Sequence, residues 1–217
     1  MLETGKNQNS SPRINMPDDG PMNPEQNAVY QKIVNGKRGK IVGPLRPLLY
    51  SPELADRVQS LGEHVRYDTS LPQQLSEFTI ICVGRYWNCQ IEWSIHADIA
   101  VTVGVDIEII EAIRKAQPPA LQNPMQIVVY EFTRELLEFG QVSELVYKNA
   151  LSLLGEKALV ELTGIIGYYT LTAMTLNAHH VPLTDSGKFR PLELPETLDK
   201  LKPTCLPASL KVMTARK

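Results

Sequence analysis

Three side chains that could carry out acid–base chemistry lie close together in the sequence: Cys89, Glu92 and His96. An α-helix turns by about 100° per residue, so these positions fall within an arc of about 60° on one helix face. Histidine can donate or accept a proton near neutrality, because its unperturbed pKa is about 6.5. A carboxyl group one turn away can orient the imidazole or, if partly buried, act as an acid. Together with Glu77 on the preceding predicted helix, this spacing predicts a proton relay.

Each of these residues also has a plain structural interpretation. If Asn88 caps the helix, Cys89 lies in its first turn, where the positive helix end and His96 would favour a thiolate. Cys89 could instead be a small buried filler, as free cysteines often are. Glu92 and His96 could form an ordinary surface pair, and Glu77 could have a structural partner. Both interpretations stay open on the sequence alone.

The segments around these residues predict an all-α fold, a compact helical bundle. The apolar positions between residues 23 and 180 recur with a helical period, and no Asn-Gly hairpin signal separates strand-like runs. Helix-starting residues introduce seven helices, and an eighth is predicted from about Glu156 to His180. The starting residues are Asn23-Pro24, Ser51-Pro52, Pro72, Asn88, Asp106, Asn123-Pro124 and Ser143.

The sequence contains an internal similarity at an offset of 84 residues. Four positions match between residues 75–83 and 159–167, and at the same offset Glu77 and His96 correspond to Glu161 and His180. This predicts two repeated helical units, the alternative being chance similarity between amphipathic helices. Because Ala173 and Leu176 replace Cys89 and Glu92, we expect one active unit per chain.

Composition excludes several classes of protein. The 217 residues include 22 Lys and Arg and 24 Asp and Glu, and this balance disfavours a nucleic-acid partner. No run approaches 18 apolar residues, so no membrane-spanning helix is expected. Three cysteines do not make a disulfide framework, which predicts a reducing, cytoplasmic setting. No metal-binding, C-x-x-C or glycine-rich phosphate motif is present, so neither a metal nor another cofactor is expected.

The pattern also predicts three regions. Residues 1–22 are rich in Gly, Pro, Ser, Asn and Asp and are predicted to be disordered. Residues 23–183 form the predicted helical domain. Residues 184–217 carry several prolines and are predicted to be an irregular tail that wraps the surface or a partner subunit.

Residues 77–96, EFTIICVGRYWNCQIEWSIH, together with residues 100–113, AVTVGVDIEIIEAI, resemble the carboxymuconolactone decarboxylase family. That family shares its fold with alkylhydroperoxidase D, and the resemblance covers about residues 45–180. It implies an alkylhydroperoxidase D-like fold in which Glu77, Cys89 and His96 match the family's proton-relay glutamate, first cysteine and histidine. It also implies a homo-oligomer.

Glu92 occupies the place of the second cysteine of the peroxidase branch. A carboxylate cannot resolve a sulfenic acid, so a two-cysteine peroxidase cycle is not expected. The resemblance then implies a cofactor-independent, decarboxylase-like lyase acting on a small acidic lactone or an aromatic ring-cleavage product. The alternatives are a single-cysteine thiol peroxidase that uses Cys89 and a non-catalytic binding or assembly protein.

Three further residues are candidates for substrate binding in such a lyase. Arg85 could clamp a substrate carboxylate, because a guanidinium fork matches a carboxylate, although a surface arginine is an equal alternative. Trp87 and Trp93 could wall the pocket and exclude water. With Glu77, Cys89, Glu92 and His96 they complete the predicted site.

Overall fold

A computed structural model describes residues 11–183, 187–194 and 202–210. Within these ranges the chain forms eight α-helices, one short 3₁₀ helix and no strand, which confirms the predicted all-α class. The helices are α1 (Pro24–Asn35), α2 (Leu45–Leu48), α3 (Pro52–Tyr67), α4 (Gln73–Tyr86), α5 (Gln90–Thr102), α6 (Ile107–Arg114), α7 (Pro124–Phe139) and α8 (Glu144–His179).

Local sequence signals fix most helix ends. Asn23 caps α1 in a capping box with Gln26, and the side chains of Asp106 and Asn123 cap α6 and α7. Gly140 ends α7 in the left-handed conformation that glycine adopts without strain. The four-residue α2 is not among the predicted helices.

Helix α4 is the centre of the bundle. All of its residues from Leu75 to Arg85 are buried, because it packs against α5, α7 and α8. A helix that is buried on every face must have neighbours all round, which explains why FTIICV follows Glu77 without an alternating polar face. Glu77 is therefore buried because it belongs to α4, and the apolar residues of α4 stabilise the burial of that helix.

Helix α8 consists of two helical segments that meet at Gly155. Gly155 has φ 74° and ψ 169°, so the axis breaks at the position where the sequence predicts one helix to end and another to begin. By length and composition alone α8 could cross a membrane, with a mean hydropathy of 1.2 in its most apolar window. More than half of that window is buried inside the protein, as in the core helix of a soluble protein.

The break at Gly155 gives a stability prediction. Only glycine adopts this backbone region readily, so Gly155→Ala should destabilise the fold by about 1–3 kcal/mol. Gly167 lies in the same helix with helical geometry and open space around it, so Gly167→Ala should be neutral or stabilise by up to about 1 kcal/mol. Urea denaturation of the two variants checks this; equal effects of both substitutions would contradict it.

The N-terminal segment differs from the prediction of disorder over residues 11–22. Met16 is buried, and Arg46 holds both Asp18 and Asp19 by ion pairs at 2.8 and 2.5 Å. Arg13 donates backbone and side-chain hydrogen bonds to carbonyls at the end of α8. Polar composition did not reveal these specific anchors. Residues 1–10 lie outside the described residues.

The described parts of the C-terminal region, residues 187–194 and 202–210, run over the helices in an irregular conformation. Leu192, Leu206 and Ser209 are buried there. Asp98 accepts hydrogen bonds from the backbone of Lys188 and Phe189 and so anchors the segment on α5. The remaining positions of the predicted tail lie outside the described residues.

The internal similarity does not extend to a second Glu–His pair. Glu161 and His180 lie on, or directly after, the same helical segment, and 19 residues of helix span about 28 Å. Glu161 instead accepts hydrogen bonds from the backbone and side chain of Ser70. The turn that folds α5 back on α4 is absent between the corresponding residues, so the predicted repeat is wrong at this pair.

Candidate active site

A three-residue turn, 87–89, brings Glu77 and His96 together. Asn88 takes the left-handed conformation, with φ 53°. The backbone N–H of Cys89 binds the carbonyl of Gly84, and that of Asn88 binds the carbonyl of Arg85. These two bonds form a Schellman motif, which ends α4 and reverses the chain into α5. Asn88 therefore ends α4, and the prediction that it caps α5 is wrong: Cys89 is the N-cap residue.

The Glu77–His96 pair is short and fully enclosed. Glu77 Oε2 lies 2.6 Å from His96 Nδ1, and both side chains are at most 5% exposed. With Glu77 as a carboxylate, which only accepts hydrogen bonds, the imidazole carries its proton on Nδ1. The other ring nitrogen, Nε2, is then left to exchange a proton elsewhere.

Glu92 lies on that other side of the imidazole. Its Oε2 is 3.5 Å from His96 Nε2, one helical turn away, and within the described part of the chain this buried oxygen has no hydrogen-bond partner. Gly84 allows the close approach, since a Cβ there would press on the Glu92 side chain. The imidazole thus stands between two carboxyl groups.

Burial raises the pKa of Glu92 to about 7. His96, Arg66 and Arg38 oppose this shift electrostatically, whereas the nearby Glu77 adds to it. A carboxyl group that titrates near neutrality can release or take up a proton under physiological conditions.

The second half of the chain completes the surroundings of the pair. The Tyr169 ring meets the His96 ring edge to face, with centroids 5.1 Å apart, and holds the imidazole plane. Tyr168 lies beside it and accepts a hydrogen bond of 3.2 Å from Arg38. Arg66 is close enough to Glu77 and Glu92 to act on both electrostatically.

Cys89 lies in a different environment from His96. It is 1% exposed in an apolar cluster with Met16, Ala173 and Leu176. Burial raises the pKa of its thiol and the neighbouring Glu92 adds to this, outweighing the N–H groups at the helix start. The expected thiolate is therefore not favoured. Cys89 and His96 share a helix face, but seven residues separate them by about 10 Å along the axis.

Arg85 is also distant from the Glu77–His96 pair. It lies eight residues beyond Glu77 on α4, about 12 Å along the axis, and its guanidinium donates to Asn88 and Thr204. Burial lowers its pKa, and the positive charge of Arg114 adds to this. Its partners place it against the C-terminal segment, so the predicted role as a clamp beside His96 has no support in its contacts.

The two tryptophans have partners of their own. The indole N–H of Trp93 donates to the Arg190 carbonyl at 2.8 Å, and its fully buried ring packs edge to face against Phe189. The indole of Trp87 donates to Thr170 at 3.2 Å. Both rings connect their helices to later parts of the chain. Among the described contacts, neither ring touches the His96 ring.

Sequence reasoning missed four residues around the pair: Arg38, Arg66, Tyr168 and Tyr169. Arg38 stands in the cationic run KRGK after α1, and Tyr168-Tyr169 lie in the middle of α8. In the sequence they are recognisable only as polar or amphipathic residues next to buried helix positions. Such residues occur in every helical bundle, so they do not indicate a site. Among the described residues, no group of three or more His, Cys, Asp or Glu is arranged to hold a metal ion.

The fold is similar to that of several solved structures at low sequence identity. An uncharacterised peroxidase-related protein from Silicibacter sp. TM1040 is 13% identical, with a TM-score of 0.63 over 88% of this chain and 96% of the other. The debrominase Bmp8 in complex with 2,3,4-tribromopyrrole is 14% identical, with a TM-score of 0.61 over 91% and 100%.

A protein of unknown function from Agrobacterium tumefaciens, provisionally named as the antioxidant defence protein AhpD, is 9% identical. Its TM-score is 0.55 over 69% of this chain and 100% of the other. No protein-family model matches the sequence, and no curated protein matches it significantly. The similarities confirm the predicted resemblance at the level of the fold: the chain has the alkylhydroperoxidase D-like helical fold, which includes enzymes.

Proposed function

We propose that the protein is a cofactor-independent enzyme that transfers a proton to a small acidic substrate, in the manner of a decarboxylase. The observation that carries this proposal is the imidazole of His96 enclosed between Glu77 and Glu92. Glu77 holds one ring nitrogen, so the other is committed to exchange with Glu92 or with a substrate. An imidazole fixed in this way is the usual arrangement for general acid–base catalysis.

The reaction balances without a cofactor. A carboxylate next to a conjugated lactone or carbonyl group loses CO₂, and the electron pair of the broken bond moves into the conjugated system as a dienolate. Glu92 gives its carboxyl proton to the unprotonated Nε2 of His96, and the resulting imidazolium delivers a proton from Nε2 to the substrate carbon. This leaves a neutral His96 and a Glu92 carboxylate, which takes up a proton from water to complete the cycle. The pKa of Glu92, raised by burial to about 7, matches that task at neutral pH.

One structural neighbour supports a small ring compound as the substrate class. Bmp8, which has the same fold, is named a debrominase and binds 2,3,4-tribromopyrrole. We propose that the substrate of this protein is likewise a small planar ring compound, namely an acidic lactone or an aromatic ring-cleavage product. The test is CO₂ release from a panel of unsaturated lactone acids by the wild type and His96→Gln. Release that depends on His96 supports the lyase; equal release by both proteins excludes it.

The single-cysteine peroxidase is the weaker alternative, because Cys89 is buried in an apolar cluster and its pKa is raised. We expect hydrogen peroxide and alkylating reagents to modify the exposed Cys205 well before Cys89 in the native protein. Peptide mass spectrometry after brief treatment measures both thiols, and Cys205 serves as the internal control. Rapid sulfenylation of Cys89 would instead favour the peroxidase.

A purely structural role for the pair accounts poorly for Glu92. Its buried Oε2 lacks a hydrogen-bond partner among the described residues, and such an atom costs about 1–3 kcal/mol. An assembly protein without a ligand has no reason to keep this cost, whereas a protein keeps it to meet a substrate or another ligand. This favours a ligand-binding site over a purely structural role.

The proposal extends to a homo-oligomer formed through α8. Three exposed apolar residues of the segment after Gly155 lie on one helix face, within an arc of about 60°: Val160, Leu171 and Met174. Val160→Glu should shift the protein to a smaller species in light scattering coupled to gel filtration. Ile107→Glu, an exposed apolar position on α6, should not. A wild-type monomer would contradict this assembly.

The proposed setting is the cytoplasm. The described structure contains three free cysteines, Cys82, Cys89 and Cys205, a state that a reducing compartment maintains.

A further inference from the structure

The N-terminal segment, residues 11–20, supplies part of the apolar cluster that buries the Cys89 thiol. This cluster is distinct from the main core of the bundle. Its buried members are Met16, Cys89, Ala173, Leu176 and Val181. Met16 is 3% exposed, and Ile14 of the same segment packs against the cluster from a partly buried position. The burial of Cys89 therefore depends on a segment that belongs to none of the α-helices.

A few polar contacts fasten this segment on both sides of Met16. Before it, Arg13 donates its backbone N–H to the carbonyl of His179 at 3.1 Å and its guanidinium to the carbonyl of Ala178 at 3.0 Å. After it, Asp18 and Asp19 pair with Arg46 of α2 at 2.8 and 2.5 Å. Because Met16 lies between the two anchors, they hold its side chain in the cluster.

Next to these anchors the segment is loosely packed. An apolar cavity of about 410 Å³ lies between the segment, α2 and the end of α8. Its lining consists of Ile14, Pro47, Leu48, Tyr50, Ser51 and His179. Segments with few buried apolar contacts open locally at a lower cost than unfolding of the whole domain. Residues 11–20 can therefore detach while the helices stay packed.

Cys89 is placed to become reactive once solvent reaches it. Burial is the main cause of the raised pKa of its thiol, and Glu92 adds to it. The backbone N–H groups of Ile91 and Glu92, at the start of α5, act in the opposite direction. When Met16 leaves the cluster, the effect of burial decreases, whereas these N–H groups stay in place with the helix.

We propose that residues 11–20 form a strap that controls access to the Cys89 thiol. In the closed form, Met16 excludes solvent and reagents from the cluster. In the open form, the strap is released from Arg46 and from the end of α8, and the thiol is accessible. The device is independent of the proposed decarboxylase reaction, because it acts on Cys89, about two helical turns from His96.

The three cysteines of the chain allow a direct test. Labelling of the native full-length protein with N-ethylmaleimide, followed by peptide mass spectrometry over time, gives a separate rate for each thiol. Cys205 is exposed and reports the activity of the reagent. Cys82 is buried in the central helix α4 and reports unfolding of the bundle. In the wild type, Cys205 should react first, Cys89 much more slowly and Cys82 last.

Two variants open the strap in different ways. Met16→Ala removes the apolar side chain from the cluster, and Arg46→Gln removes the anchor for Asp18 and Asp19. Each should increase the labelling rate of Cys89 about tenfold or more and leave the rates of Cys82 and Cys205 unchanged.

The matched controls are Met16→Leu and Lys37→Gln. Met16→Leu keeps an apolar side chain of similar size in the cluster. Lys37→Gln removes an exposed ion pair with Asp68, at the end of α3. Both should label Cys89 at the wild-type rate. Circular dichroism verifies that each variant is folded.

The proposal is overturned if either folded variant, Met16→Ala or Arg46→Gln, labels Cys89 at the wild-type rate. It is also overturned if Cys82 accelerates in step with Cys89, because the thiol would then be exposed only by unfolding of the bundle. Wild-type labelling of Cys89 as fast as that of Cys205 would show that the strap does not protect the thiol.

Discussion

Replacing His96 by glutamine should lower the turnover of a lactone acid by about 10²- to 10⁴-fold. Glutamine has nearly the size of the imidazole, and its amide N–H can still donate a hydrogen bond to the Glu77 carboxylate, so the fold should be kept. What is lost is the group between Glu77 and Glu92 that can gain and lose a proton at Nε2. The decrease should lie in kcat rather than KM, because the proposal gives His96 a role in the proton transfer and not in substrate binding.

The matched variants of this experiment are Glu77→Gln and His64→Gln. Glu77→Gln keeps the imidazole but replaces the acceptor that fixes its tautomer, so a smaller loss in kcat is expected. His64 is an exposed histidine on α3, and His64→Gln should leave the rate unchanged. A His96→Gln enzyme as fast as the His64→Gln control would show that the imidazole carries no proton in the reaction.

The second large effect is on stability: Glu92→Gln should stabilise the protein relative to the wild type as the pH rises. In the folded protein the pKa of Glu92 is raised from 4.5 to about 7, because the carboxylate is buried. Between these two values the folded state binds more protons than the unfolded state, so wild-type stability falls with increasing pH. Below pH 4.5 the carboxyl is protonated in both states, and the penalty disappears.

The full penalty above pH 7 amounts to about 3 kcal/mol, since one pKa unit corresponds to about 1.4 kcal/mol. The uncharged glutamine does not titrate. The free energy of unfolding of Glu92→Gln minus that of the wild type should therefore increase by about 2 kcal/mol from pH 5 to pH 8, measured by urea denaturation.

The control for this titration is Glu53→Gln, which replaces a glutamate that is largely exposed at the start of α3. Its difference from the wild type should change little over the same range. A difference for Glu92→Gln that stays constant, or decreases with pH, would mean that Glu92 is not a buried carboxyl with a raised pKa.

The helices and the central pair could be predicted from local sequence patterns. Capping residues such as Asn23, Asp106 and Asn123 act within one turn, so their effect does not depend on the rest of the fold. The short connection between the two predicted helices made an encounter of Glu77 with His96 predictable, because two helices joined by a tight turn must lie side by side. The structure brings these two side chains to 2.6 Å.

Two errors have a common geometric cause. A helical projection gives the direction of a side chain but ignores its position along the axis. Cys89 therefore shares a face with His96, yet lies two turns away in an apolar cluster. Arg85 is displaced from Glu77 in the same way along α4.

The remaining part of the site could not be predicted, since it comes from distant segments. Arg38 follows α1, Arg66 lies in the last turn of α3, and Tyr168 and Tyr169 belong to α8. Their approach depends on how the helices pack, and on Gly62, which gives no local signal of its purpose. The anchoring of residues 11–22 by Arg46 likewise depends on a contact across the fold.

The most direct test of the Glu77–His96–Glu92 relay is single-turnover decarboxylation of a lactone acid in D₂O, followed by mass spectrometry and NMR of the product. The account predicts one deuterium on the carbon that lost CO₂, delivered to a single face by the wild type, and a strongly slowed step in His96→Gln and Glu77→Gln. Wild-type rates and the same stereospecific labelling in both variants would contradict it.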